Sequence, residues 1–453
     1  MKRLTLALLA LLAVPAAPAF AQQEGGRCDA ASPGSATDED LAVLLAEAAC
    51  VSQELAGAAQ GQAARLAKAL ELARAQPVPP PGPTSSAPPA GQWERAPTAA
   101  GKPAIPSDFE TRQGLQPSWG SGVIPGSADP DPVGAFRMTC GDGDLAYVDP
   151  IQYPGSDRLS HLHLFYGLVG VRPGETYESA RAAGRETTCG EGVVGLNRSA
   201  YWMPALLDGR GHAFRPNYVS IYYKRLPKTD ARCRWDERNA PASANACRNM
   251  PQGLKLIAGR DMQNPGTQAQ ITRGAWFYCV KDGAQSPSRD DLSVLGDPAC
   301  QGDTKLYQVF DFPNCWDGEH LDSPNHRDHV VYSAGSTIWG CPRSHPYLIP
   351  ALHVAAEFQL RAADDRGLIR LSSDMFPGLA PGKTQHGDIF IAWDPEALQM
   401  LHDNCIDKRL NCAGGDLGNG WQLKSPTVRW DNPNRLVPAP KRPGGEHVGH
   451  APA

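Results

Sequence analysis

The sequence predicts a mainly β chain: an antiparallel β-sandwich of jelly-roll type with long loops and disulfides, preceded by a short α-helical N-terminal segment. Three observations predict it. Glycine (46) and proline (42) are abundant in a chain of 453 residues, which favours turns over long helices. Stretches of period-two alternation recur between turn signals. The 12 cysteines are even in number and all follow a leader-like N-terminus, as in an exported, cross-linked domain.

Composition divides the chain. Residues 1–21 read as a signal peptide: Lys2 and Arg3 supply the charge, residues 4–14 the apolar run, and Ala19-Phe20-Ala21 the small-x-small cleavage site. No later apolar run is long enough for a bilayer-spanning helix, so no membrane insertion is expected. Residues 22–76 read as helical, with Thr37-Asp38-Glu39-Asp40 as an N-cap signal and Leu41, Leu44, Leu45 and Ala48 at helical spacing. Residues 77–132 read as a linker, because Pro77-Val78-Pro79-Pro80-Pro81-Gly82-Pro83 excludes both helix and central strand. Its Trp93 and Trp119 are candidates to dock on the core. Residues 133–430 form the expected globular domain, and 431–453, with His447 and His450, a disordered tail.

Within the domain, Leu352, Val354, Ala356, Phe358 and Leu360 alternate with polar or small residues, the pattern of a half-buried strand with His353 on its exposed face. Residues 218–223 and 306–310 are also strand-like. Helices are expected only near 176–183 and 395–402. Pairing cysteines as sequence neighbours gives Cys28–Cys50, Cys140–Cys189, Cys233–Cys247, Cys279–Cys300, Cys315–Cys341 and Cys405–Cys412. Each such loop is worth about 2–4 kcal/mol. The formal net charge of -5, without a basic run, argues against nucleic acid as partner.

Four stretches carry candidate chemistry. His161-Leu162-His163 in a strand places both imidazoles on one face, suited to two ligands of one metal ion or to a binding pair. Asp317, His320, Asp322, His326, Asp328 and His329 crowd a loop beside Cys315, and an oxygen-rich calcium loop is a second reading of that segment. His386 and Asp388 share a strand face opposite Ile389 and Ile391. Tyr201 and Trp202 offer aromatic surface, although core packing is the blander reading.

The same residues carry a family resemblance. The run from Phe136-Arg137-Met138-Thr139-Cys140 to about Cys412 resembles the secreted family called domain of unknown function nineteen-ninety-six. The matching elements include Asp149-Pro150-Ile151, His161-x-His163, Ser199-Ala200-Tyr201-Trp202-x-Pro204, Phe312-Pro313-x-Cys315-Trp316-Asp317-Gly318, His326-x-x-His329, Cys341-Pro342 and His386-Gly387-Asp388. The resemblance implies a polysaccharide-rich setting by association and no defined activity.

Three functions follow. The first is an extracytoplasmic carbohydrate-active enzyme, hydrolase or lyase. Its cleft would be formed by His161, His163, Asp317, His329, His386 and Asp388, with Tyr201, Trp202 and Arg327 on the substrate. The second is a copper or zinc protein, with His161, His163 and His329 or His386 as ligands. The third is a non-catalytic module that binds polysaccharide or cell-wall glycan.

Overall fold

The computed structural model describes residues 92–443, except 109, 111, 113–114, 119–123, 125, 127–131, 142, 190–194, 234–245, 263–273, 334–339, 377, 414 and 424–431. The signal peptide, the helical segment, Cys28–Cys50, Trp119, His447 and His450 lie outside these residues. The described part is mainly β, 37% strand against 10% helical, which fixes the class.

Alternation builds the larger sheet. Tyr218–Arg225 alternates half-buried and buried side chains along its whole length, and Ala351–Leu360 starts the same way before both of its faces become covered. Seven strands align in the order Ala284–Gln285, Ala275–Lys281, Thr304–Asp311, Ala351–Leu360, Tyr218–Arg225, Gly134–Cys140 and Asn411–Cys412. All neighbours are antiparallel except the last pair.

A second sheet of five antiparallel strands runs Lys255–Gly259, His386–Phe390, Ala200–Pro204, His163–Gly167 and Asp144–Ala146. Its three inner strands are buried on both faces. One face contributes Leu164, Tyr201, Met203 and Ile389 to a core shared with Phe136, Ile221 and Phe310 of the larger sheet. The other face packs Phe165, Trp202, Ile257 and Phe390 against Ile151 and Tyr177. Gly387 makes the close approach of the sheets possible, because a Cβ there would lie 2.8 Å from the Phe310 ring.

The expected mainly β chain with disulfides therefore holds; a jelly-roll wiring is not read from these strand orders. Five of the neighbour cysteine pairs are bonded: Cys140–Cys189, Cys233–Cys247, Cys279–Cys300, Cys315–Cys341 and Cys405–Cys412. The two expected helices appear as Tyr177–Ala180, capped by Thr176, and Pro395–Leu401, capped by Asp394. A fully buried ion pair, Arg181 to Asp394 at 3.3 Å, joins the end of the first to the start of the second.

The segments read as linker and tail add edge strands. Glu94–Arg95 pairs with His320–Asp322, Leu115–Pro117 with Trp421–Leu423, and Leu436–Pro438 with His212–Phe214. Trp93 docks, with its ring 4.4 Å from that of His320. Short strands like these need only a free sheet edge, so low-complexity composition does not exclude them. Among the described residues no helix is long and apolar enough to cross a membrane.

Candidate metal centre

The outer face of the five-stranded sheet brings three histidines together. His163 opens its strand and faces outward with Phe165, while Leu164 points to the shared core. His386 opens the strand on the far side of Ala200–Pro204, and Asp388 follows it on the same face. His161 lies just before the strand, not within it, yet its ring is 4.1 Å from that of His163 and 5.0 Å from that of His386. One ligand atom from each of the three falls within 4.8 Å of the others.

The tautomers are set by the backbone. The Nδ1 of His163 lies 2.8 Å from the Val148 carbonyl, and the Nδ1 of His386 lies 2.9 Å from the Thr384 carbonyl. A carbonyl only accepts, so each Nδ1 carries the proton and each Nε2 presents a lone pair. These two Nε2 atoms are 3.4 Å apart, and the buried Nε2 of His161 has no hydrogen-bond partner. An ion about 2.05 Å from two nitrogens so spaced would see them at about 110°, close to the tetrahedral angle. Burial, then the charge of neighbouring histidines, pulls His161 and His163 well below the usual imidazole range. Burial, helped by the charge of Arg327, brings His386 down to about 4 against the opposing Thr384 bond. All three rings are thus neutral, the form that ligates.

Carboxylates flank the cluster. Asp388 is buried with no hydrogen bond to either oxygen, and its Oδ2 is 3.9 Å from the His386 Nε2, too far for one. Burial, then repulsion from Asp149, raises its carboxyl well above the ordinary range. Asp149 accepts the Ile151 and Gln152 amides at 3.0 and 2.8 Å, and burial pushes it up to about 6. The Trp202 indole N–H is turned towards Asp149 but falls short of hydrogen-bond geometry. His326 lies within electrostatic range of Asp149, and its Nδ1 hydrogen-bonds Asp322 at 2.8 Å. His326 has φ +57, a left-handed backbone that a non-glycine residue rarely adopts. Arg327 lies within electrostatic range of His386 and Asp388, anchored on the Gly259 and Arg260 carbonyls. A cavity of about 460 Å³, counting its open mouth, reaches His161, His386 and Asp149 past Tyr153, Leu159, Met375 and Phe376.

Other expected site residues are engaged elsewhere. Asp317 caps the turn at Glu319 and His320 and binds the His320 ring at 2.7 Å. His329 has both nitrogens committed, to the Lys255 carbonyl at 2.8 Å and Ser323 at 3.0 Å, which leaves no lone pair for a metal. Tyr201 faces the shared core, where its hydroxyl meets Tyr223 at 2.7 Å and Asn197 at 2.9 Å, so it offers no surface to substrate. Trp202 is on the site face but fully buried, stacked on Phe165 with centroids 5.4 Å apart. His353 is half-buried and paired with Asp311. Among the described residues the three histidines are the cluster suited to a metal, and the 317–329 loop is not such a cluster. Asp149 and His326 border the site although neither was among the residues assigned to the cleft. Their signal was the Asp149-Pro150-Ile151 motif and the H-x-x-H spacing.

Residues 149–393 match the family described as Domain of unknown function (DUF1996), a little over half of the chain. The chain belongs to that family. The match begins at Asp149 and runs past Asp388, so it contains every residue of the cluster, and it is narrower than the span of resemblance read from the sequence. No curated protein and no solved structure matches the chain.

Proposed function

We propose that the protein is an exported metalloprotein in which His161, His163 and His386 hold one zinc or copper ion, and that the ion serves hydrolysis. One observation carries this reading: the Nε2 atoms of His163 and His386 face each other at 3.4 Å with both Nδ1 protons given to backbone carbonyls. Two lone pairs at that distance repel, and a shared cation turns the repulsion into binding. The carbonyls that fix the tautomers are the outer-shell partners that ligating histidines ordinarily have.

Three protein ligands leave a fourth tetrahedral position for water or substrate. A bound ion would supply Lewis-acid chemistry there, lowering the pKa of such a water. Asp388, with its oxygens free of hydrogen bonds and its carboxyl pKa raised, would be placed to take up that proton. A substrate would reach the cluster past Tyr153 and Phe376. The carbohydrate-active and metal readings of the sequence become one site in this way. A lyase has less support, since Arg327, its candidate cation, is committed to two carbonyls. Met262 and Met375 line the same cavity and favour copper as a second reading, because thioethers suit Cu(I).

Metal content by mass spectrometry of full-length protein purified from a periplasm tests the proposal. One equivalent of zinc or copper is expected in the wild type and in His329→Gln, and none in His163→Ala or His386→Ala. A folded wild type that neither carries nor takes up either metal would sink the reading.

A further inference from the structure

The larger sheet turns its second face outward, and the registers arrange that face in rows. Trp276, Val309, Ala355, Ser220 and Thr139 are successive partners across five strands. After Trp276 this row holds only small side chains. Tyr278, Tyr307, Glu357 and Tyr218 form the row on one side. Asp311, His353, Tyr222 and Arg137 form the row on the other. Residues two apart in a strand share a face, so small residues between two rows of large ones make a trough. Five strands spaced about 4.8 Å apart give it a length of about 19 Å.

The walls are held in place. The Tyr278 and Tyr307 rings stack with centroids 4.7 Å apart and planes 7° from parallel. Glu357, 1% exposed, accepts the phenols of Tyr218 and Tyr307 from the strands on either side, together with the Asn217 amide at 2.9 Å. Burying a carboxylate on an outward face costs desolvation, and here it fixes two tyrosine rings. On the opposite wall the Tyr222 phenol donates to Asn411 at 2.5 Å. Trp276 closes one end, 5.9 Å from the His353 ring. Trp276, Tyr278, Tyr307, Tyr218 and Tyr222 are all half-buried. Lys305 pairs with Glu357 at 2.9 Å and His353 hydrogen-bonds Asp311 at 2.8 Å, while Arg137 stands exposed at the end of its row. What the trough offers a ligand is mainly ring surface and hydroxyl oxygens, with the Arg137 guanidinium at one corner.

We propose that this trough binds a neutral β-linked polysaccharide chain laid across the strands. Such a chain is straight and ribbon-like, with apolar C–H faces for the aromatic walls and hydroxyl edges for the phenols, Ser220 and Thr139. The site is on a different sheet from the metal pocket and does not rest on the metal reading.

Binding of the full-length protein to microcrystalline cellulose and chitin, with titration calorimetry on cellohexaose and chitohexaose, tests it. The wild type is expected to bind at least one of the two chemistries. Trp276→Ala and Tyr222→Ala should each weaken binding roughly three- to tenfold with an unchanged thermal melt, and His163→Ala should bind as the wild type does. A wild type that binds neither polysaccharide, or aromatic variants that bind equally well, would overturn the proposal. So would a loss confined to His163→Ala, which would move binding to the metal pocket. Dimerisation of the wild type abolished by Trp276→Ala would likewise overturn it by assigning the trough to a second copy of the chain.

Discussion

His402 ends the Pro395–Leu401 helix with no exposed surface. Its Nδ1 gives a proton to the Leu398 carbonyl at 2.7 Å, and its Nε2 accepts the Met250 amide at 3.3 Å. The Phe136 ring lies edge-on at 6.0 Å. Burial, then the charge of Arg225 and more weakly that of Lys228, lowers its pKa from the ordinary 6.5 to about 3. Below pH 6.5 the unfolded chain takes up a proton that the folded chain refuses. The stability contributed by the neutral ring is therefore complete above pH 6.5 and is lost as pH falls towards 3. The loss runs at about 1.4 kcal/mol per pH unit. At about pH 5 it amounts to about 2 kcal/mol. Urea unfolding of the wild type and His402→Gln checks this, since a glutamine amide can donate to Leu398 and accept from Met250. His161, His163 and His386 titrate in both proteins, so the difference isolates His402. The variant is expected to be the less stable at about pH 7.5, with the gap closing by about 2 kcal/mol at about pH 5. A gap that stays constant across that range would refute the reasoning.

Other substitutions test the packing. Gly387→Ala should cost about 1–3 kcal/mol in chemical unfolding and weaken zinc binding in equilibrium dialysis, because its Cβ meets the Phe310 ring between His386 and Asp388. Gln308 is fully buried with neither amide atom bonded, so Gln308→Met should raise the urea midpoint by an amount equivalent to about 1 kcal/mol; a lowered midpoint would contradict it. Arg181→Met should cost about 3–5 kcal/mol by leaving the Asp394 charge buried without its partner, whereas a change below about 1 kcal/mol would mean the pair is not intact in solution. Replacing Cys315 and Cys341 together by serine should lower stability by about 2–4 kcal/mol under non-reducing conditions, an effect that reductant should erase.

Much of the fold was legible in the chain. The alternation in residues 352–360 marks a strand because side chains alternate faces, whatever the neighbours are, and the β-rich run 218–223 marks another. The cysteine pairs were legible because short loops close most readily between sequence neighbours. The edge strands at Glu94–Arg95 and Leu436–Pro438 were not, since two or three residues carry no periodicity and their pairing depends on a free edge elsewhere.

The sequence by itself determined that His161 and His163 would lie close, and that His386 and Asp388 would share a face, because both are local consequences of an extended backbone. Only the tertiary structure decided that these two pairs meet. Their strands are separated by Ala200–Pro204, which joins them through its own register with each. It also decided between the histidines of the H-x-x-H motif. The left-handed turn at His326 brings that ring into range of Asp149, while His329 is fixed on the Lys255 carbonyl. Spacing along a loop cannot make that choice, because side-chain direction there is set by backbone angles and by the surface the loop packs against.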